Sequence, residues 1–253
     1  MYKGVTSIKS YTAEYACISS TGYVRRNNED NFFCAGSLRG DVNSTEEVSL
    51  SGAVDSSDNE LFAVFDGMGG EACGEVASFA AADHARSFTE NKGDYEEYLY
   101  ELAELMNEKV REETEARSLV LMGTTAAMLQ LSGDEIYILN AGDSRIYKLS
   151  GHKLRQISVD HTAPVYGGKA LTKFIGLPQG HSLSPYIASG KCKAGDLYLL
   201  CSDGVTDMLS DDEISAILDS RKTAAQLCRE IVDAALTKGG VDNTTAIVLR
   251  INK

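Results

Sequence analysis

The sequence lacks several features, and each absence excludes a class of protein. No apolar run approaches the roughly 20 residues that a membrane-spanning helix needs, and the first 15 residues contain no apolar stretch typical of a secretory signal. Lys and Arg number only 24 against 37 Asp and Glu, which gives a formal net charge of −13. Such a surface repels nucleic-acid phosphates and anionic lipid headgroups. We therefore expect a cytoplasmic protein without nucleic-acid or membrane partners.

Paired cysteines are also missing. None of the six cysteines forms a C-x-x-C pair, and no group of His and Cys has the spacing of zinc ligands. Most of the cysteines lie within apolar patterns, as buried thiols do. These observations argue against a zinc site and structural disulfides, and for a reducing compartment.

The chain instead contains aspartates at the ends of apolar strand patterns. Asp66 follows the run LFAVF, Asp203 follows LYLLCS, and a glycine comes directly after each. A single Asp-Gly is typical of a turn, but the pattern recurs. The candidates are Asp30, Asp66, Asp143, Asp203, Asp207 and Asp242. If the strands share a sheet system, these carboxylates converge at one edge, where they need cations. An all-oxygen ligand set favours Mg²⁺ or Mn²⁺ over zinc.

Two long helical patterns lie in the first half of the chain, at 75–91 and 94–117. Asp94 is the predicted N-cap of the second helix. Its apolar stripe is predicted to contain Tyr95, Tyr98, Leu99, Leu102, Leu105, Met106 and Val110. The Ser- and Asp-rich segment 38–60 is interpreted as a loop with at most a short irregular hairpin.

Strand patterns occur before and after these helices, and two further helices are predicted near the end, the first with Ser210 as its N-cap. Segment 161–180 is interpreted as irregular and Gly-rich. Blocks of strands around helix pairs indicate an α+β domain with helices on a largely antiparallel sheet system. No linker divides the chain, so we expect one domain over residues 1–253 with its core in 14–251.

Metal ions on carboxylates beside arginine are typical of hydrolysis at phosphorus. Paired ions about 3.5–4 Å apart can bridge a water and aim it at a phosphoryl group. Arg25 and Arg26 are the candidates for binding phosphate oxygens, since guanidinium binds them in a bidentate manner. The alternative for either arginine is a solvated surface charge.

The same residues lie in motifs of a known family, in the family's order: GYVRRNNEDNFF, FAVFDGMGGEACGEVAS, GTTAAMLQL, ILNAGDSRIY, DHT, LYLLCSDGVTD and GGVDNTTAIVL. From Glu14 to Ile251 the chain resembles the bacterial form of the metal-dependent serine/threonine protein phosphatases of type 2C. The resemblance implies a four-layer α-β-β-α sandwich, in which two antiparallel sheets are flanked by antiparallel helix pairs. It places a dinuclear Mn²⁺ or Mg²⁺ site at one end.

The resemblance also implies a role for each ligand. Asp66 bridges the two ions, and the Gly67 carbonyl binds one of them. Asp203 and Asp242 hold the first ion together with Asp66. Glu29 and Asp30 hold waters around the second ion.

Two further roles come from the same resemblance. Arg25 matches the family's phosphate-binding arginine, with Arg26 as second choice. Asp143 and Asp207 match the carboxylates of a third, weaker metal site. Segment 163–170, between the motifs DHT and LTKFIG, looks shorter than the flap that bacterial members carry beside the active site.

The implied activity is hydrolysis of phosphoserine and phosphothreonine on proteins by a water that bridges the two ions. The implied partners are phosphoprotein substrates and a cognate Ser/Thr kinase, with the enzyme itself a monomer. Two alternatives stay open. A short flap also suits a phosphatase of small phosphoesters, and the fold also suits a silent metal-binding regulatory module, although such modules usually lose metal carboxylates that are present here.

Overall fold

Two large antiparallel sheets, one two-stranded sheet and five α-helices make up the part of the chain that the computed structural model describes, residues 11–68, 73–87 and 94–253. The strands are β1 (Thr12–Ser20), β2 (Asp30–Cys34), β3 (Ser37–Leu38), β4 (Val48–Asp55), β5 (Leu61–Met68), β6 (Gly123–Thr124), β7 (Ala126–Ser132), β8 (Glu135–Ala141), β9 (Arg145–Ser150), β10 (Lys153–Gln156), β11 (Thr162–Val165), β12 (Gly168–Leu171), β13 (Tyr186–Lys191), β14 (Leu197–Cys201) and β15 (Thr244–Asn252). The helices are α1 (Gly74–His84), α2 (Tyr95–Ala116), α3 (Asp203–Thr206), α4 (Asp211–Leu218) and α5 (Ala224–Thr237).

The first sheet has the strand order β10-β9-β14-β15-β1-β4. The second has the order β13-β8-β7-β5-β2-β3, and β6 pairs with the end of β5. All strand pairs in both sheets are antiparallel, as the sequence predicts. The observed fold is therefore α+β with two antiparallel sheets and helices.

Alternation along β5 shows how the second sheet is buried on both faces. Ala63 and Phe65 belong to a core cluster with the buried residues of α1 and α2. Phe62 and Val64 belong to a different cluster, together with inward-facing residues of the first sheet. Because side chains alternate between the two faces of a strand, a strand buried on both faces is a continuous apolar run. This explains why β5 begins with LFAVF.

The same alternation occurs in β14 of the first sheet. Tyr198 and Leu200 lie in the cluster between the sheets, while Leu199 and Cys201 pack with α4 and α5. Both sheets are thus packed on both faces, and this packing fixes the positions of the loops at the ends of their strands.

The predicted helix starts are confirmed. The Asp94 side chain accepts a hydrogen bond from the Glu96 amide at 2.9 Å at the start of α2. Ser210 caps α4 in a reciprocal capping box with Glu213. Leu105 departs from the predicted apolar stripe, because it is 49% exposed. The first helix ends earlier than predicted, at His84, followed by a 3₁₀ turn over Ala85–Ser87; residues 88–91 of that prediction lie outside the described residues.

Two interpretations of loops were wrong. Segment 38–60 contains β4, which pairs along its whole length with β1. In β4, exposed and partly buried residues alternate, and the strand contains Ser and Gly. Its sequence therefore resembles a loop. Segment 161–180 contains the hairpin β11–β12, with Val165 opposite Gly168 across a two-residue turn. Within the described ranges, no helix has the length and hydropathy to span a bilayer.

Candidate active site

Two of the predicted carboxylates meet across a pair of neighbouring strands. Asp30 begins β2 and lies directly opposite Asp66 of β5 in the antiparallel register. Residues in this relation have their Cβ atoms about 4.5–5.5 Å apart. Asp66 lies inside β5, two residues before its end, and not at the strand end as predicted. The pairing places two acidic side chains at one edge of the second sheet.

Short helix α3 brings two more carboxylates to this edge. Asp203 is its first residue, two residues beyond the end of β14, and Asp207 follows one turn later with its amide 2.7 Å from the Asp203 carbonyl oxygen. A Cβ on Gly204 would lie 2.0 Å from the carbonyl oxygen of Asn243. Only glycine therefore allows α3 to lie against the loop that carries Asp242.

Asn243, which the sequence analysis did not single out, holds three segments of the site together. Its Oδ1 accepts a hydrogen bond from the Glu29 amide at 2.8 Å. Its Nδ2 donates to the carbonyl oxygens of Thr21 at 3.0 Å and Asn27 at 2.8 Å. The side chain thus fixes Glu29 relative to Asp242, the residue before Asn243.

Gly67 allows the end of β5 to lie equally close to the Glu29 segment and to the start of α1. Its amide donates to the Glu29 carbonyl oxygen at 3.1 Å, and a Cβ there would lie 2.1 Å from the Gly74 carbonyl oxygen. The Glu29 carboxylate in turn lies beside Gly74, the first residue of α1. The Ser78 hydroxyl donates to the Glu29 carbonyl oxygen at 2.6 Å.

Asp143 lies in the turn between β8 and β9, next to the same carboxylates. The neighbouring Ser144 hydroxyl is 2.6 Å from the Thr125 hydroxyl, and the Thr125 amide donates to the Asp66 carbonyl oxygen at 2.8 Å. These contacts tie the Asp143 turn to the backbone of Asp66.

A buried arginine braces the segment that carries Glu29 and Asp30. Arg39 is 2% exposed and donates to the carbonyl oxygens of Asn28 at 2.7 Å and Asp30 at 3.3 Å. It also donates to the Ser44 carbonyl oxygen at 3.0 Å. Sequence reasoning missed Arg39, because a single Arg in a polar segment resembles an ordinary surface charge.

The carboxylates perturb one another strongly. Burial, followed by the charges of Asp143 and Asp242, raises the pKa of Asp203 to about 7. Burial raises the pKa of Asp30 to about 6, although the Ser202 hydroxyl donates to it at 2.7 Å. The pKa of Asp66 is raised well above its usual value by burial and by Asp203. Negative charges gathered in a buried place in this way are costly without a cation.

Two further acidic candidates, Asp143 and Glu29, show the same influence. Burial and the neighbouring Asp160 raise the pKa of Asp143. Burial, then Glu75 among the nearby charges, raises the pKa of Glu29 against a hydrogen bond from Asn27. The structure thus brings all the predicted site residues to one end of the sheets: Arg25, Glu29, Asp30, Asp66, Gly67, Asp143, Asp203, Asp207 and Asp242.

Arg25 is the basic side chain that touches this cluster from outside. Its Nη2 donates to Asp242 Oδ2 at 2.6 Å, and more than half of the side chain is exposed. The hydrogen bond to Asp242 raises the pKa of Arg25, and the charges of Glu29 and Asp203 add to the effect. Arg26 is exposed and makes no ion pair within the part of the chain that the structure describes.

The donor set fits hard divalent cations. All candidate ligands are carboxylate or carbonyl oxygens, which suits Mn²⁺ and Mg²⁺. Among the described residues, no three His, Cys, Asp or Glu side chains already form a closed metal site. Mg²⁺ keeps several waters and binds through one or two carboxylates, so a closed group of three is not required. The pKa values of Asp66 and Asp203 are raised, so a nearby cation would stabilise the charged form of these two carboxylates.

Comparisons with known proteins identify relatives of this chain. The sequence model of the family "Protein phosphatase 2C" matches residues 49–238. The chain is 32% identical over 251 residues to the serine/threonine protein phosphatase PstP of Mycobacterium tuberculosis, covering 92% of this chain but 44% of that protein. It therefore spans less than half the length of this relative.

Two further matches cover most of both chains. The serine/threonine phosphatase stp of Listeria monocytogenes is 27% identical over 252 residues, which cover 90% of this chain and 92% of that protein. The crystal structure of the PstP catalytic domain in complex with two manganese ions superposes with a TM-score of 0.78 at 29% identity. That superposition covers 96% of this chain and all of the catalytic domain.

Proposed function

The chain belongs to the protein phosphatase 2C family, and we propose that it hydrolyses phosphoserine and phosphothreonine on proteins with two divalent cations, Mn²⁺ or Mg²⁺. The observation that carries the proposal is the buried cluster of carboxylates whose pKa values are raised by burial and by one another. The PstP structure with two manganese ions supports the choice of metal.

We propose that Asp66, Asp203 and Asp242 hold the first ion, and that the Gly67 carbonyl binds one of the two ions. Glu29 and Asp30 would bind around the second, with Asp66 shared between the two. Asp143 and Asp207 would form a third, weaker site. When bound, such ions supply positive charge beside the phosphoryl oxygens and activate water.

The chain itself supplies phosphate binding and orientation. The Arg25 guanidinium already contacts a carboxylate oxygen at 2.6 Å, and an equatorial phosphoryl oxygen presents the same kind of acceptor. Asn243 and Arg39 hold the Glu29 segment in place. Arg25 would bind the phosphate through hydrogen bonds, and Asn243 and Arg39 would act on it only through the position of the Glu29 segment.

Burial disfavours a covalent route through Cys201. Cys201 is the thiol nearest in sequence to Asp203, and burial raises its pKa to about 12. Since the thiolate is the nucleophile in cysteine chemistry, Cys201 stays protonated and inert at neutral pH. Direct attack by water on phosphorus is the simpler route for this site.

We also propose the finer architecture that the resemblance implies. The helices would flank the two sheets as antiparallel pairs in a four-layer α-β-β-α order, which the separate core clusters on the two faces of each sheet support. The single domain over residues 1–253 and the monomeric state remain predictions.

Hydrolysis of p-nitrophenyl phosphate by the purified protein tests the proposed function. We expect phosphate release with Mn²⁺ or Mg²⁺ and none with excess chelator, because the proposed reaction needs divalent cations on the carboxylates to activate water. A phosphothreonine peptide should be hydrolysed under the same conditions. Binding of Mn²⁺ without hydrolysis of either substrate would contradict the enzyme and favour the regulatory module, whereas hydrolysis of the small ester alone would favour the small-phosphoester alternative.

Arg25→Ala should raise KM for a phosphopeptide by about tenfold and change kcat much less, because it removes a charged contact shared by the bound substrate and the transition state. Steady-state kinetics with Mn²⁺ measure both constants. The matched control is Arg26→Ala, which removes an exposed charge one residue away and should leave KM within about twofold. An unchanged KM in Arg25→Ala, or a larger effect of Arg26→Ala, would reassign phosphate binding.

A further inference from the structure

Three large apolar side chains are exposed beside the Arg25–Asp242 ion pair. Tyr23 is 72% exposed, Val24 is 65% exposed and Val241 is 47% exposed. We call them the apolar ledge. Val24 directly precedes Arg25 and Val241 directly precedes Asp242, so the two loops of the ion pair both contribute to the ledge. Single exposed apolar residues are ordinary on protein surfaces, whereas apolar patches rimmed by polar residues are typical of interaction sites.

The two loops of the ledge are packed against each other. The Tyr23 amide donates to the Gly240 carbonyl oxygen at 2.8 Å. Gly22 has φ +76°, and a Cβ there would lie 2.4 Å from the Asp242 carbonyl oxygen. The Tyr23 ring lies against Gly240, where a Cβ would come within 3.1 Å of ring atom Cδ2. The backbones of the two loops are therefore held together before a ligand binds, which reduces the ordering that binding requires.

Charge identifies the kind of ligand that fits beside the ledge. Arg25 and Arg26 follow Val24 in the chain, and Arg26 has no hydrogen bond or ion pair among the described residues. The formal charge of the chain is −13, so two adjacent arginines on an exposed loop are a local exception. A ligand that carries an apolar side chain next to its anionic group complements this surface. A small phosphate ester without such a side chain would not contact the ledge.

We propose that the apolar ledge binds an aliphatic side chain next to the phosphorylated residue, so that the enzyme prefers phosphoproteins with Leu, Ile or Val beside the phosphoserine or phosphothreonine. The proposal rests on the proposed function, because it places the phosphate at Arg25 and the carboxylate cluster. Burying an aliphatic side chain against Val24 and Val241 removes apolar surface from water. The preference thus comes from an interaction separate from phosphate binding.

Two phosphothreonine peptides test the proposal, identical except that Leu or Ser flanks the phosphothreonine on both sides. Phosphate release with Mn²⁺ gives kcat/KM for each, and fluorescence anisotropy of labelled copies gives their affinities. We expect the Leu peptide to exceed the Ser peptide at least about fivefold in both measurements. In the double variant Val24→Ser/Val241→Ser the ratio should fall close to one.

The control variant is Leu105→Ser, which removes a 49% exposed apolar side chain from α2 and should keep the wild-type ratio. Circular dichroism checks folding, and Val24→Thr replaces the double variant if the latter is unfolded. Equal values for the two peptides in wild type, or a ratio that survives in the ledge variants, would overturn the proposal. Preferential binding of the Leu peptide without any phosphate release would instead overturn the proposed function and leave the ledge as a peptide-binding surface.

Discussion

Asp203→Asn is expected to abolish hydrolysis of p-nitrophenyl phosphate and phosphopeptides while the protein stays folded. Asp203 begins α3 and faces Asp143 and Asp242, so the amide would remove a negative charge from the centre of the proposed metal site. Removing one partner of a buried ion pair costs about 4 kcal/mol of stabilisation. If the transition state loses this stabilisation, the rate of hydrolysis falls roughly a thousandfold. Steady-state kinetics with saturating Mn²⁺ measure the loss.

The same variant should be more stable than the wild type when metal is removed. The pKa of Asp203 is raised to about 7, so the folded protein holds this proton more tightly than the unfolded chain. Stability of the metal-free wild type therefore falls as the pH rises from about 4 to about 7, and the Asn variant lacks this loss. Thermal unfolding in chelator should show a Tm several degrees higher for the variant near pH 8, with the difference shrinking toward pH 4.

Asp233→Asn is the control, because Asp233 is more than half exposed on α5. It should alter neither the activity nor the pH dependence of Tm. Activity of Asp203→Asn within about tenfold of the wild type would remove Asp203 from the metal site. A metal-free variant with the same Tm as the wild type near pH 8 would show that the carboxylates do not repel one another as the structure indicates.

Gly204→Ala is expected to damage both stability and activity. The new methyl group would lie 2.0 Å from the Asn243 carbonyl oxygen, a backbone atom that cannot rotate away. Overpacking of this kind costs about 3 kcal/mol, which lowers Tm by roughly 6–12 °C in a domain of this size. Displacement of α3 would also move Asp203 away from Asp242, so activity should fall by at least about a hundredfold. Thermal unfolding and steady-state kinetics measure the two effects.

Gly190→Ala is the matched control, since a Cβ at this position of β13 would have its nearest neighbour at 4.0 Å. It should leave Tm within about 2 °C and activity unchanged. A Gly204→Ala variant as stable and active as Gly190→Ala would show that the α3 loop has room to move and that its contact with Asn243 does not position the site.

Local patterns predicted the elements that local interactions determine. The capping of α2 by Asp94 and of α4 by Ser210 depends on side chains that reach only two or three residues along the chain. Strand β4 escaped the analysis, because its polar, half-exposed residues resemble a loop until its pairing with β1 is known. Leu105 was placed on the buried stripe because helical spacing alone does not show where the packed face ends.

By itself, the sequence determined the chemistry that is available: oxygen ligands, no paired cysteines, an acidic balance and an arginine four residues before Glu29. Only the tertiary structure decided which of these groups meet. Asn243 and Glu29 are 214 residues apart in the chain, yet they share a hydrogen bond of 2.8 Å. The apolar ledge likewise joins residues 23 and 24 to residue 241. Contacts of this kind depend on how two sheets and their loops pack together, and no pattern of neighbouring residues encodes that packing.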